Sequence, residues 1–309
     1  LDMQSFRAFM PDGLVWSGLL NGQAKAGWQA GQQPTLDAQI YTENGNLGLT
    51  ADDPQDPPLT LPYDRLSLIA QTQADGMKIR FDAKTPGIGT GYVDAIVDPK
   101  ATPMTVNGAL VLDNVEMSIF QPFFAGMRTL QGTASLAGGM SGPLTGPQFY
   151  GEFRLKNGRV AMADLPVNLD KIQLHSSIRG TQATLDGEFY SGDGRATLDG
   201  KAVWAGEPRI NLNLSGNELL IRKPPLLTAR LSPKLDMVVL PTRRQVSIDG
   251  RVDIPSALIT PAPTDDDAVA VSSDVRVIDR RLALENPVLK AVKPWRIDAD
   301  IDVVLGNAV

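Results

Sequence analysis

Between Ser177 and Leu220 the chain alternates apolar and polar residues one by one. The run Ala-Thr-Leu-Asp-Gly occurs twice there, at Ala183–Gly187 and Ala196–Gly200. Successive side chains of a strand point to opposite faces. Ala183 and Leu185, then Ala196 and Leu198, then Ile210, Leu212 and Leu214 therefore share one side. Thr184, Asp186, Thr197, Asp199, Asn211 and Asn213 share the other. Ser191-Gly192-Asp193-Gly194 carries turn chemistry that returns the chain as a hairpin. The stretch predicts a meander of half-buried strands, and leaves open what its apolar face is for.

The same period runs through most of the chain. A short helix is expected over Leu1–Met10, where Met3, Phe6, Phe9 and Met10 precede Pro11. Leu36–Ile40 and Leu47–Leu49 read as two strands joined by a hairpin at Asn44-Gly45. Ala51–Pro58 reads as a proline-rich loop. Strands are expected at Leu66–Ala70, Met77–Phe81, Tyr92–Val97 and Val106–Leu112. After Arg222, Lys223-Pro224-Pro225 and Leu231-Ser232-Pro233 bracket a connection. Further strands are then expected at Leu235–Val239, Val246–Ile254, Ala257–Ile259, Val269–Val271, Val275–Ile278, Leu282–Leu284 and Ile297–Leu305.

A near-repetition organises this run. Met117, Phe120, Phe123, Phe124 and Gly132 overlay Met3, Phe6, Phe9, Met10 and Gly18 at one constant offset. Phe149, Gly151, Phe153, Asn157-Gly158, Val160 and Met162 overlay Leu36, Ala38, Ile40, Asn44-Gly45, Leu47 and Leu49 at nearly the same one. A tandem unit of about 105–114 residues follows, each a short helix and several strands. The expected division is 1–112, 113–220 and 221–309, all within one continuous elongated sheet.

About 20 strands rarely fit one open sheet without curling or stacking. A barrel, a sandwich or a curled open sheet would each bury one face, and the tandem repeat favours an elongated form. Aromatic residues make up only 6% of the chain and many inward positions are Gly, Ala or Thr, a composition that leaves room inside a curl. Net charge is −6, which argues against a nucleic-acid partner and supplies no polybasic lipid anchor. There is no cysteine, so disulfide and thiolate chemistry are excluded. No apolar run reaches the roughly 18 residues of a membrane-spanning helix. Both ends read as cuts in something longer.

Residues that could carry chemistry have plainer readings. His175 is the single histidine and lacks a nucleophile and orienting acid at any useful spacing, so it reads as a surface residue. Asp265-Asp266-Asp267 lacks the alternating ligand spacing of a calcium cage and reads as a solvated loop. Gly87-Ile88-Gly89-Thr90-Gly91 lacks the lysine and helix of a phosphate loop and reads as a turn. Phe120, Phe123, Phe124 and Met127 form a stripe read as packing at one end of the sheet. The sequence predicts no enzyme, no cofactor and no metal site.

Ile254-Pro255-Ser256-Ala257-Leu258-Ile259, followed after a loop by Val271-Ser272-Ser273-Asp274-Val275, resembles the TamB family, part of the AsmA-like superfamily. Gly142-Pro143-Leu144 to Gly151-Glu152-Phe153 and Leu231-Ser232-Pro233-Lys234-Leu235 are similar to further family patterns, the last with Lys in place of Asp. The resemblance implies an all-β fold, an elongated curled sheet (a β-taco) with an apolar groove and one or two short helices. It implies a periplasmic segment of an inner-membrane-anchored protein, working in outer-membrane biogenesis. The implied partners are phospholipid, a TamA-like outer-membrane barrel and the inner membrane, the last two through regions beyond this sequence.

On that reading the expected groove lining is Leu155, Ile172, Leu185, Leu198, Ile210, Leu212, Leu214, Val246, Ile248, Ile254, Ile297 and Ile301. Their common facing follows from period 2 alone, and a slip of one residue would reverse it in any strand. The groove would carry acyl chains. A scaffold receiving unfolded outer-membrane strands by edge pairing, and a spacer with a self-packed interior, are the competing readings.

Overall fold

The computed structural model describes residues 14–29, 35–49, 59–85, 89–123, 127–162, 168–223, 225–260 and 296–308. Strands dominate: β1 (Leu14–Trp16), β2 (Leu19–Gly27), β3 (Thr35–Leu49), β4 (Leu59–Gln73), β5 (Gly76–Thr85), β6 (Gly89–Asp98), β7 (Thr105–Glu116), β8 (Met127–Pro143) and β9 (Gln148–Met162). They continue as β10 (Asn168–Gly180), β11 (Gln182–Ser191), β12 (Gly194–Val203), β13 (Arg209–Asn217), β14 (Leu219–Lys223), β15 (Leu227–Leu240), β16 (Gln245–Ile259) and β17 (Arg296–Ala308). All belong to one 17-stranded sheet that curls without closing.

From β2 to β16 each strand pairs antiparallel with the next, except that β14 shares β15 with β13 and β1 shares β3 with β2. β17 breaks the pattern by lying parallel to β16. A 3-10 helix at Met117–Phe123 joins β7 to β8 and also touches β4, although three strands lie between β4 and β8 in the sheet. That contact requires the sheet to bend back on itself. A second 3-10 turn, Pro241–Arg243, joins β15 to β16.

Bulges supply the bend. Asn44, Asn114, Asn157, Lys171 and Glu218 all take left-handed backbone (φ 49–53°) inside or between strands. Such residues kink a strand and sharpen its twist. Here the sequence expectation is corrected. Asn44-Gly45 and Asn157-Gly158 are not hairpin turns; β3 and β9 run straight through them, paired on both sides. An Asn that tolerates φ > 0 followed by Gly serves a bulge as well as a turn. The two sites share one geometry: Gly18 (φ 132°) lies against Gly45, and Gly132 (φ 126°) lies against Gly158, each too close to admit a Cβ.

Three more boundaries move. Leu231-Ser232-Pro233 lies inside β15, with Pro233 opposite Val252. The ladder from β13 stops at Ser215–Lys234, one residue before Pro233 would need to join it, and the proline ring packs on Gly216 instead. Val246–Ile254 and Ala257–Ile259 are one strand, β16, interrupted by a bulge. Met127 opens β8 instead of continuing the Phe120 stripe. The hairpin at Ser191–Gly194 forms as expected. The expected helix over Leu1–Met10, the loop Ala51–Pro58, the aspartates 265–267 and the strands between 269 and 284 lie outside the described residues.

Candidate functional site

Paired residues on neighbouring strands face the same way, so the register reveals what each face collects. One row crosses the whole sheet: Leu20–Thr42–Leu66–Ala83–Gly91–Leu112–Leu136–Phe153–Ser176–Leu185–Gly200–Leu212–Met237–Ile248–Ala299. A second runs Leu155–Leu174–Gly187–Leu198–Leu214–Leu235–Gly250–Ile301. A third runs Ile178–Ala183–Ala202–Ile210–Val239–Val246–Ile297. Ile172 continues this face beyond the bulge at Lys171, opposite Gly158, and Ile254 continues it two residues past Val252. The register thus places all the residues expected from sequence on one side of the sheet.

No charged side chain stands in these rows, and their only polar groups are the hydroxyls of Thr42 and Ser176. The alternate rows are the opposite. Arg154–His175–Asp186–Asp199–Asn213–Asp236–Asp249–Asp300 runs across β9 to β17 on the other face. The three Leu/Ile-Asp-Gly triplets, at Leu185, Leu198 and Ile248, each put their aspartate into this polar row and their aliphatic residue into an apolar one.

The apolar face is not a close-packed core. Half of the buried apolar residues among those described are alanines, such as Ala38, Ala70, Ala95, Ala134 and Ala196. Leu185, Leu198, Ile210, Leu212, Leu214, Val246 and Ile248 are only half-buried, and Ile297 on β17 is 65% exposed. Leucines lean across neighbouring glycines: a Cβ on Gly200 would meet Leu212 Cδ2 at 2.7 Å, and one on Gly187 would meet Leu174 Cδ2 at 2.3 Å. The result, over these strands, is an aliphatic surface.

One polar knot interrupts it. The Tyr63 hydroxyl donates to the Ser17 carbonyl (2.6 Å) and accepts from Trp16 Nε1 (2.8 Å) and Thr42 Oγ1 (2.9 Å). Tyr63 and Thr42 are buried, so the bonds tie β1 to β3 and β4 at one end of the sheet. The partners are too far apart in sequence for any local pattern to have revealed them.

The remaining candidates stay structural. His175 stands half-exposed in the polar row, 3.6 Å from Asp186 and 3.8 Å from Glu152. Gly89 to Gly91 open β6, with no helix following. Among the described residues no group of three or more His, Cys, Asp or Glu is placed to hold a metal ion. Also among them, no helix is long and apolar enough to cross a membrane.

Comparison with known proteins matches residues 1–155 to the family model described as "TamB, N-terminal domain" and residues 181–309 to "TamB C-terminal domain". Over 217 residues, 70% of the chain, it is 24% identical to "Translocation and assembly module subunit TamB" of Haemophilus influenzae. The matched stretch covers 17% of that protein, so the chain corresponds to a small part of its relative. No solved structure matches the chain.

Proposed function

The chain belongs to the TamB family, and from that premise we propose that its apolar face is a trough carrying phospholipid acyl chains between the inner and outer membranes. The observation that supports this reading is the set of uncharged rows, one of them unbroken from Leu20 on β2 to Ala299 on β17. A 16-carbon acyl chain exposed to water costs about 12 kcal/mol, at ~0.8 kcal/mol per methylene. A surface of half-buried leucines and alanines offsets that cost equally at every strand. No position then holds the chain much more tightly than the next, which is what passage requires. In this reading the chain is a periplasmic segment of an inner-membrane-anchored protein in outer-membrane biogenesis, with a TamA-like barrel as partner at a region outside it. The units 1–112, 113–220 and 221–309 would be successive lengths of one trough.

The test uses native mass spectrometry of the chain purified from a membrane-containing lysate, beside its Leu212→Asp and Ile248→Asp variants. These two residues stand in one apolar row, separated only by Met237. Co-purified phospholipid in the wild type, lost in both variants while their circular dichroism stays β-rich, is the expected result. Equal lipid in all three would end the reading.

A second reading rests on β17. Among the described residues it pairs on one side only, and Ile297, Val303 and Leu305 are 58–65% exposed. Such an edge can accept an unfolded outer-membrane strand. Binding of a β-signal peptide by a lipid-free chain would favour it.

A further inference from the structure

β7 and β13 end in the same way. Asn114 (φ 53°) donates its backbone N–H to Ser135 Oγ at 3.4 Å, and Glu218 (φ 49°) donates its own to Ser232 Oγ at 3.0 Å. Before each bulge the ladder runs straight, through Leu112–Leu136 and Ser215–Lys234. After it, Val115–Ala134 and Glu116–Thr133 correspond to Leu219–Leu231 and Leu220–Arg230. From there the two copies part. β14 stays on β15 to Lys223–Leu227. β7 leaves β8 after Glu116, and the chain turns into the 3-10 helix Met117–Phe123. Bulge and serine are 21 residues apart in the first copy and 14 in the second, and the difference is the length of the helix, 7 residues.

The residues that leave are patterned as a strand. Val115-Glu116-Met117-Ser118-Ile119 alternates apolar and polar one by one, with a β-branched residue at each end. Nothing in that local pattern asks for a turn at Met117. The β8 edge they vacate is not left bare. Gln121 Nε2 donates to the Arg128 carbonyl (3.0 Å), and Gln121 Oε1 accepts the Leu130 N–H (3.3 Å). A primary amide carries the donor and acceptor of a peptide unit. One side chain of the helix thus does for β8 what the backbone of β14 does for β15. The same helix reaches across to β4. A strand-patterned segment, a strand seat beside it and a single amide holding that seat give one sequence two packings.

We propose that Met117–Phe123 is a latch with two states. In the state described above, Gln121 occupies the β8 edge and the helix bridges to β4. In the other, Met117, Ser118 and Ile119 pair with Gly132, Gln131 and Leu130, as Ile221, Arg222 and Lys223 pair with Ala229, Thr228 and Leu227. The bridge to β4 is then released, and the sheet can uncurl between β4 and β8. Neither state depends on what the apolar face carries.

The test uses the whole chain, which has no cysteine of its own. Ser118→Cys with Gln131→Cys places two thiols at opposed positions of the strand state. Arg222→Cys with Thr228→Cys occupies the equivalent positions on β14 and β15 and reports an intact sheet. In oxidised glutathione the second pair should bond quickly in every background. The first should bond slowly in the otherwise native chain and about tenfold faster with Gln121→Ala, which is what two lost neutral hydrogen bonds are worth. Nitroxides on Thr60→Cys in β4 and Ser118→Cys should show a longer distance that grows at the expense of a shorter one in the same variant. First-pair thiols that stay reduced in the native background, while the second pair bonds, overturn the latch whatever Gln121→Ala does to folding. A first-pair rate that Gln121→Ala leaves unchanged also overturns it, as does a bond that forms between two copies of the chain. Bonding at the expected rates with one fixed nitroxide distance overturns the release from β4 and spares the strand exchange.

Discussion

β3 to β6 and β10 to β13 present the same apolar rows on one face and differ on the other. In β5 every residue but Lys84 is half-buried; in β13 exposed and half-buried residues alternate without exception. The cause is side-chain length. Outward positions of the first region hold long groups that lie over one another. Arg65 pairs with Glu43 and stacks on Tyr41, while Arg80 pairs with Asp82 and Asp94 beside Tyr92. The two aspartates hold the Arg80 guanidinium's pKa above its ordinary value, chiefly through their hydrogen bonds. Outward positions of β13 hold, after Arg209, only Asn211, Asn213, Ser215 and Asn217, too short to cover the strand. The polar face is thus free to vary along the sheet while the apolar face does not change, as expected if function lies on the apolar side.

If the regions are successive lengths of one repeat, the bulge glycines should behave alike. Gly18→Ala and Gly132→Ala should each cost about 1–3 kcal/mol, because both backbones lie where only glycine is at ease. Urea denaturation measures this. A large loss at one site and none at the other would break the equivalence. Tyr63→Phe should come next, at about 1–3 kcal/mol, by leaving Trp16 Nε1 and the Thr42 hydroxyl without their acceptor. Each strand touches mainly its neighbours, so hydrogen exchange should quicken in β1 to β4 and stay unchanged in β10 to β13. Faster exchange throughout would show that the sheet unfolds as one body.

Much of the fold was legible because period 2 is a local signal. Alternation alone put Leu185, Leu198, Leu212 and Ile248 on one face, and the register agrees. What misled was chemistry shared by two structures. Asn44-Gly45 suits a tight turn and a bulge equally, and only the presence of strands on both sides of β3 decides between them. Pro233 was misread for a similar reason: it ends a strand unless its missing N–H falls where a neighbouring ladder has already stopped. The Tyr63 knot was invisible because it is assembled across several strands.

The smallest expected effect extends the comparison from β5 to β16, because it changes sign between the two outward faces. Asp249 lies between Asp236 on β15 and Asp300 on β17, with no ion pair of its own among the described residues. Opposed like charges on neighbouring strands are destabilising, and relieving one such contact is worth about 0.2–1 kcal/mol. Asp249→Asn should therefore raise stability by roughly that amount at low salt. Near 1 M salt the screening length falls to about 3 Å, shorter than the roughly 5 Å between strands, and the gain should largely vanish. Arg80→Gln removes attractions instead, so it should lower stability at low salt and matter less at high salt. Paired melting curves at both ionic strengths check this. Salt effects of the same sign in both variants would mean that the two outward faces differ in appearance and not in energy.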